Sequence, residues 1–176
     1  MNDLSRLANF FFETGILQNL KRSGNIFLGS GEQTVASHIF RVVIIGYVMS
    51  KIMNADSYKV ILMCLFHDIE ETRTGDLNYL QQMYIKSDDE RALKDLLNGL
   101  PIKDEIETIL KEYAKLETLE AKIAKDADSL ELILFLKEQL DKGNPQAQNW
   151  INSARKRLIT ETAKELCVEI ENGRYY

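Results

Sequence analysis

The chain is poor in the residues that punctuate structure. Two prolines and nine glycines in 176 residues leave few tight turns, which disfavours a many-turned β fold and permits long helices. Cysteine is equally scarce. Cys64 lies in an apolar run, Cys167 on a late helix, and no CxxC spacing links them. That usage reads as buried thiols in a reducing compartment, hence a cytoplasmic protein, and not as a disulfide framework. No 18-residue apolar stretch is free of charge, because "FRVVIIGYVMSKIM" carries Arg41 and Lys51; no membrane span is expected. The N-terminal "MNDLSRLANFFFETG" has no basic segment ahead of an apolar core, so no signal peptide is expected. A net charge of −5 argues against binding to nucleic-acid polymers.

What is present is helical spacing nearly everywhere, with no clean alternation of period two. The 45% hydrophobic and 28% charged content is that of one globular domain spanning 1–176. The expectation is an all-α bundle of about six or seven helices. They run from about Asp3 to Leu20 with Leu4, Leu7, Phe11 and Phe10 as inward candidates, from Thr34 to Met53, and from Ser57 to Glu71. Others follow in "DERALKDLLNGL", from Pro101 to Leu116 and from Thr118 to "DKGNP". The last covers about 145–172 and packs on a core of about 20–140. Phe10, Phe11 and Phe12 in a row cannot all face inward, so at least one meets a partner or another helix.

Histidine is the scarcest chemistry-bearing residue: the chain has two. His67 and Asp68 sit in "CLFHDIEETRTGDL". On a helix through that stretch, Glu71 shares their face, being four residues from His67 and three from Asp68, whereas Glu70 points elsewhere. An imidazole beside a carboxylate suits a borderline divalent metal, namely Mn, Fe, Co or Zn. His38, the other histidine, lies among Val35, Ile39 and Val42 on the preceding helix. A further ligand should be an acid on an apolar helix face. In "AKIAKDADSLELILFLKEQL", Asp128 falls on the stripe of Ala124 and Leu132, while Asp126 is rotated away by ~160°. For Asp128 alone, a solvated acid beside Lys125 is the default.

The order His38, then His67–Asp68, then Asp128 resembles the HD-domain metal-dependent phosphohydrolases, which are all-α, and most closely their 5′-deoxynucleotidase-like branch. "EQTVASHIFRV", "HDIEETRTGDL", "KDADSLELI" and "NWINSARKRLITETAKEL" are each similar to a segment of that branch, over roughly residues 4–170. The resemblance implies one divalent metal held by His38, His67, Asp68 and Asp128, with Glu71 as the acid/base group. It also implies Arg22 on the substrate phosphate, Thr74, Gly75 and Asp76 near the sugar, and Lys125 as a basic group beside the last ligand. The implied substrate is a small nucleotide, a (deoxy)nucleoside 5′-monophosphate, and the implied assembly is a homodimer. The chain departs from the branch at Asn25 and Phe27, where a Trp is usual, at Ser37, where an acid is usual, and at Asn78, where Pro is common. The competing readings are an HD phosphohydrolase acting on another phosphorylated nucleotide and a helical module with a purely structural metal. No histidine remains for a second metal of the cyclic-nucleotide type.

Overall fold

A computed structural model describes residues 3–174 of the chain. Its elements are α1 (Leu4–Thr14), α2 (Val35–Ile52), α3 (Ser57–Phe66), α4 (Glu71–Thr74), α5 (Tyr79–Gln82), α6 (Asp89–Leu97), α7 (Lys103–Lys115), α8 (Leu119–Asp141), α9 (Gln146–Arg155) and α10 (Glu161–Asn172). Two 3-10 turns, Gly15–Gln18 and Ser23–Phe27, precede α2. The only β pairing among the described residues is the single bridge of Lys21 with Thr34. The architecture is all-α, as the spacing predicts.

The helices begin where side chains can satisfy the free N–H groups of a first turn. Thr34 and Ser37 form a reciprocal capping box at the start of α2. The Asp56 carboxylate accepts from Tyr58 N–H at 3.0 Å to open α3, and Thr118 opens α8. The 23-residue α8 is the axis of the molecule, contacting α2, α3, α7, α9 and α10. Because neighbours surround it, it is buried around most of its circumference and lacks a solvent face. One core gathers Val42, Met63, Ala127, Leu130, Ile133 and Ile151 about this axis. A second gathers Phe10, Leu17, Ile39, Ile69, Leu96 and Ile106 between α1, α2, α6 and α7. At Gly46, α2 and α3 approach so closely that a Cβ would stand 2.6 Å from Cys64 Sγ.

The bundle is more segmented than the expected six or seven helices. The first ends at Thr14 and continues as a 3-10 turn from Gly15. In it Phe10 faces the core, whereas Leu4 and Phe11 are exposed, reversing the expected facing of those two. The third stops at Phe66, five residues early. The last is divided, α9 and α10 being separated by residues 156–160. That break is held by Asp126, whose buried carboxylate accepts from Ile159 N–H (2.7 Å), Thr160 N–H (2.8 Å) and Thr160 Oγ1 (2.6 Å). Among the described residues one helix, α2, is long and apolar enough to cross a membrane by length and composition. It packs against α3 and α8 and buries His38 completely.

Candidate metal centre

His67 is the residue that ends α3. Its Nδ1–H donates to the Cys64 carbonyl at 2.9 Å, taking the acceptor that another helical turn would give to the Asp68 N–H. The chain then tightens: Ile69 N–H bonds Phe66 O at 3.1 Å and Glu71 N–H bonds Asp68 O at 3.3 Å. The expected common helix face is therefore a turn. It still places Asp68 and Glu71 three residues apart, and the buried Ile69 side chain anchors it in the second core.

His38 comes from the first turns of α2. Its Nδ1 meets Glu131 Oε2 at 2.5 Å. With Nδ1 of each ring committed to an acceptor, Nε2 is the atom that presents a lone pair when the ring is neutral. Both Nε2 atoms are buried without a hydrogen-bond partner, and both face carboxylates. His38 Nε2 lies 3.3 Å from Asp128 Oδ1 and 3.8 Å from Asp68 Oδ2; His67 Nε2 lies 3.2 Å from Asp68 Oδ2 and 4.0 Å from Asp128 Oδ1. A neutral ring's lone pair repels an anion, so these pairs need a shared positive charge, either a proton on the ring or a cation between the groups. Ligand atoms about 2.1 Å from one ion stand ~3 Å apart at right angles and ~4.2 Å apart across it. The observed separations fall in that range, so these four residues fit a divalent cation. His38, His67 and Asp128 offer atoms all within 4.8 Å of one another.

The electrostatics point the same way. Burial lowers the His67 pKa, but Asp68 and Asp128 outweigh it and lift the ring to about 9. Burial raises Asp68 and Asp128, yet the histidines and nearby cations hold both below the usual carboxylate range. Burial together with Asp68 and Asp76 pushes the Glu71 carboxyl up to about 9, against the opposing pull of Arg22. Glu71 Oε2 is buried and has no partner. The surroundings of Arg22 raise its pKa despite burial, and its Nη1 stands 3.2 Å from Asp68 Oδ2. Lys125 Nζ donates to Asp128 Oδ2 at 2.8 Å, leaving Oδ1 toward the histidines.

The remaining expected residues surround this centre. Asp76 Oδ2 accepts the Ser23 N–H at 2.8 Å, tying the turn after α4 to the loop that carries Arg22. Thr74 and Gly75 line a cavity of about 310 Å³ with Glu70, Glu71 and Asp76. The sequence reading assigned no role to Glu131, which is fully buried. Besides His38 it binds Arg41, through Nε at 2.9 Å, and Gln33 Nε2 at 2.6 Å. The available signal was its position three residues after Asp128, on the same face of α8.

A helical bundle that gathers two imidazoles, two carboxylates, an unpartnered acid and an arginine has the donor set of a divalent metal site. The sequence profile of the HD domain matches residues 14–170. The chain belongs to the HD-domain family. It is 27% identical over 190 aligned positions to the 5′-deoxynucleotidase HDDC2 of Dictyostelium discoideum, the alignment covering 97% of this chain and all of that one. A conserved hypothetical protein from Pyrococcus furiosus superposes with a TM-score of 0.76 at 24% identity, over 94% of this chain and 99% of the other. The cyanophage S-2L HD phosphohydrolase DatZ, solved with dA and one catalytic Zn²⁺, shares the fold with a TM-score of 0.58 at 18% identity, over 92% of this chain and 94% of that one.

Proposed function

We propose that this protein is a phosphomonoesterase that releases phosphate from (deoxy)nucleoside 5′-monophosphates at a single divalent metal centre. One observation carries the reading: two partnerless Nε2 atoms face two carboxylates beside an unpartnered Glu71 oxygen and a half-buried arginine. The relatives named 5′-deoxynucleotidase point to the substrate class.

In this reading His38, His67, Asp68 and Asp128 hold the cation. Two neutral rings and two carboxylates balance a +2 charge. When bound, such a cation makes a water nucleophilic at neutral pH and neutralises phosphoryl oxygens. Glu131 and the Cys64 carbonyl hold the two rings with Nε2 turned inward. Arg22 neutralises and orients the phosphate dianion. Glu71 Oε2 holds or receives the proton that moves between the attacking water and the departing sugar oxygen. Lys125 fixes which oxygen of Asp128 faces inward, and Asp76 holds the Arg22 loop against the site.

The proposed form is a homodimer in the cytoplasm. Phe40, Ile44, Tyr47 and Val48 lie 44–69% exposed along one side of α2, and both cysteines are free and buried. Sedimentation of the purified chain reads the assembly directly. For the activity, phosphate release is measured from a panel of nucleoside monophosphates with added Mn or Co and again with chelator. Release with metal and none with chelator is expected; no release from any member overturns the proposal.

A further inference from the structure

Helix α7 supplies none of the four ligands, yet a side chain from its last turn reaches the centre. The ring of Tyr113 meets the His67 imidazole edge-on, with centroids 6.1 Å apart and planes at 64°. His67 meets the His38 ring in the same manner, at 5.5 Å and 61°. Both separations lie in the range where aromatic pairs attract. Lys125 Nζ stands over the face of the Tyr113 ring, 5.9 Å from its centroid, within reach of a cation–π attraction.

Both neighbours of this ring need a second constraint. The Nδ1–H bond to Cys64 O fixes one atom of the His67 ring. The torsion between Cβ and the imidazole is broad, so that single bond leaves the ring free to swing and carry Nε2 away from Asp68. An edge contact with Tyr113 blocks the swing. Lys125 has a flexible four-carbon stem, and its side chain is 37% exposed, where an ion pair alone is weak. The face of Tyr113 limits where the ammonium can go. The same ammonium donates to Asp128 Oδ2 at 2.8 Å, and Asp128 Oδ1 then lies 3.3 Å from His38 Nε2. One ring thus bears on a ligand that follows α3 and on a ligand of α8.

The ring is itself held in place. Glu112, the residue before it, pairs with Lys59 of α3 at 3.0 Å, and Tyr58 Oη donates to Glu105 Oε1 at 2.7 Å. Leu116, in the left-handed region at φ 53°, gives its N–H to Tyr113 O at 3.2 Å. Tyr113 and Leu116 both pack against the core about α8. The Tyr113 hydroxyl takes no part in this, making no hydrogen bond among the described residues. Phenylalanine is therefore a faithful replacement for what the ring does.

We infer that Tyr113 is a positioning residue of the metal centre, its ring aiming Nε2 of His67 directly and Oδ1 of Asp128 through Lys125. This rests on the metal-centre reading and is independent of which nucleotide is the substrate. The experiment reads Co binding to the purified chain, by titration and by the visible absorption of the bound ion, in protein shown to be folded by its melting transition. Tyr113→Leu should weaken Co binding about 10–100-fold and alter the absorption band, whereas Tyr113→Phe should stay within about twofold of wild type. Should Tyr113→Leu not fold, Tyr113→Met takes its place, since methionine fills the space without offering a flat face. Combined with Lys125→Gln, either variant should lose less than the product of the two separate losses, because the two side chains act in one chain of contacts.

A leucine or methionine variant that binds Co as tightly as wild type with an unchanged band overturns the inference. A Tyr113→Phe variant as impaired as Tyr113→Leu also overturns it, because the ring would then not be what acts. Losses that multiply in full with Lys125→Gln overturn the relay to Asp128. Wild-type protein that binds neither Co nor Mn fails at the earlier step, the metal centre itself, and is told apart from all of these.

Discussion

Glu71 and Glu131 are both acids close to the histidines, and their surroundings set them to opposite tasks. Glu131 is saturated: His38, Arg41 and Gln33 occupy its oxygens, and although burial raises its pKa, His38 and Arg41 outweigh this and lower it. It is a positioning residue. Glu71 keeps a bare oxygen in a pocket of like charge and sits near pH 9. Glu71→Gln preserves the shape and removes the exchangeable proton, so it should keep stoichiometric metal and lose on the order of 10²–10⁴-fold in turnover. Metal content after dialysis and kcat for a nucleotide are the two readouts; unchanged kcat removes Glu71 from the chemistry. Glu131→Gln should do the reverse, weakening metal affinity by about 10–100-fold, as read by titration with Co or Mn. At this scale much was legible. Two histidines in apolar runs marked the helices that meet at the candidate centre, and helical phase favoured Asp128 over Asp126, although Asp126 is itself fully buried; the ligand set as a whole came from the resemblance. Glu131 escaped because a carboxylate on a helix reads as solvated until its three partners, 90 to 98 residues away, are known.

At the scale of elements, helical character and the starts of the longer helices were readable, because caps such as Thr34 and Thr118 are local chemistry. The stops inside helical stretches were not. α3 ends because a histidine ring takes a backbone acceptor, and the chain separates α9 from α10 because a distant acid satisfies the backbone between them. Neither event leaves a Gly or Pro behind. Asp126 thus offers a test of structure apart from chemistry. Asp126→Ala removes three hydrogen bonds and leaves two N–H groups to find new partners, each costing about 1–3 kcal/mol if unmet. A clear fall in melting temperature is expected, with metal affinity per folded molecule within about twofold of wild type. A large loss of affinity in folded protein would mean that the α9–α10 junction also shapes the centre.

For the whole molecule, the centre couples stability to pH and metal together. In metal-free protein His67 titrates near 9 instead of 6.5, and Glu71 near 9 instead of 4.5. Burial, with Asp68 and Asp89 adding to it, lifts Glu70 to about 7. All three bind more protons folded than unfolded, so stability falls as pH rises through this window. The His67 contribution is complete below about 6.5 and lost above about 9. Asp68, Asp128 and Glu131 act oppositely: their lowered pKa values give a contribution present above the ordinary carboxylate range and lost in acid. The metal-free chain should therefore be most stable at mildly acidic pH. A cation must displace the proton on His67, and binding that releases one proton strengthens about tenfold per pH unit below its pKa. The rise in melting temperature on adding a fixed excess of Co or Zn should accordingly be larger at pH 8 than at pH 6, with proton release measurable by calorimetry in buffers of different ionisation enthalpy. A shift that is equal at both pH values, or larger at pH 6, would mean that the cation does not enter between the two histidines.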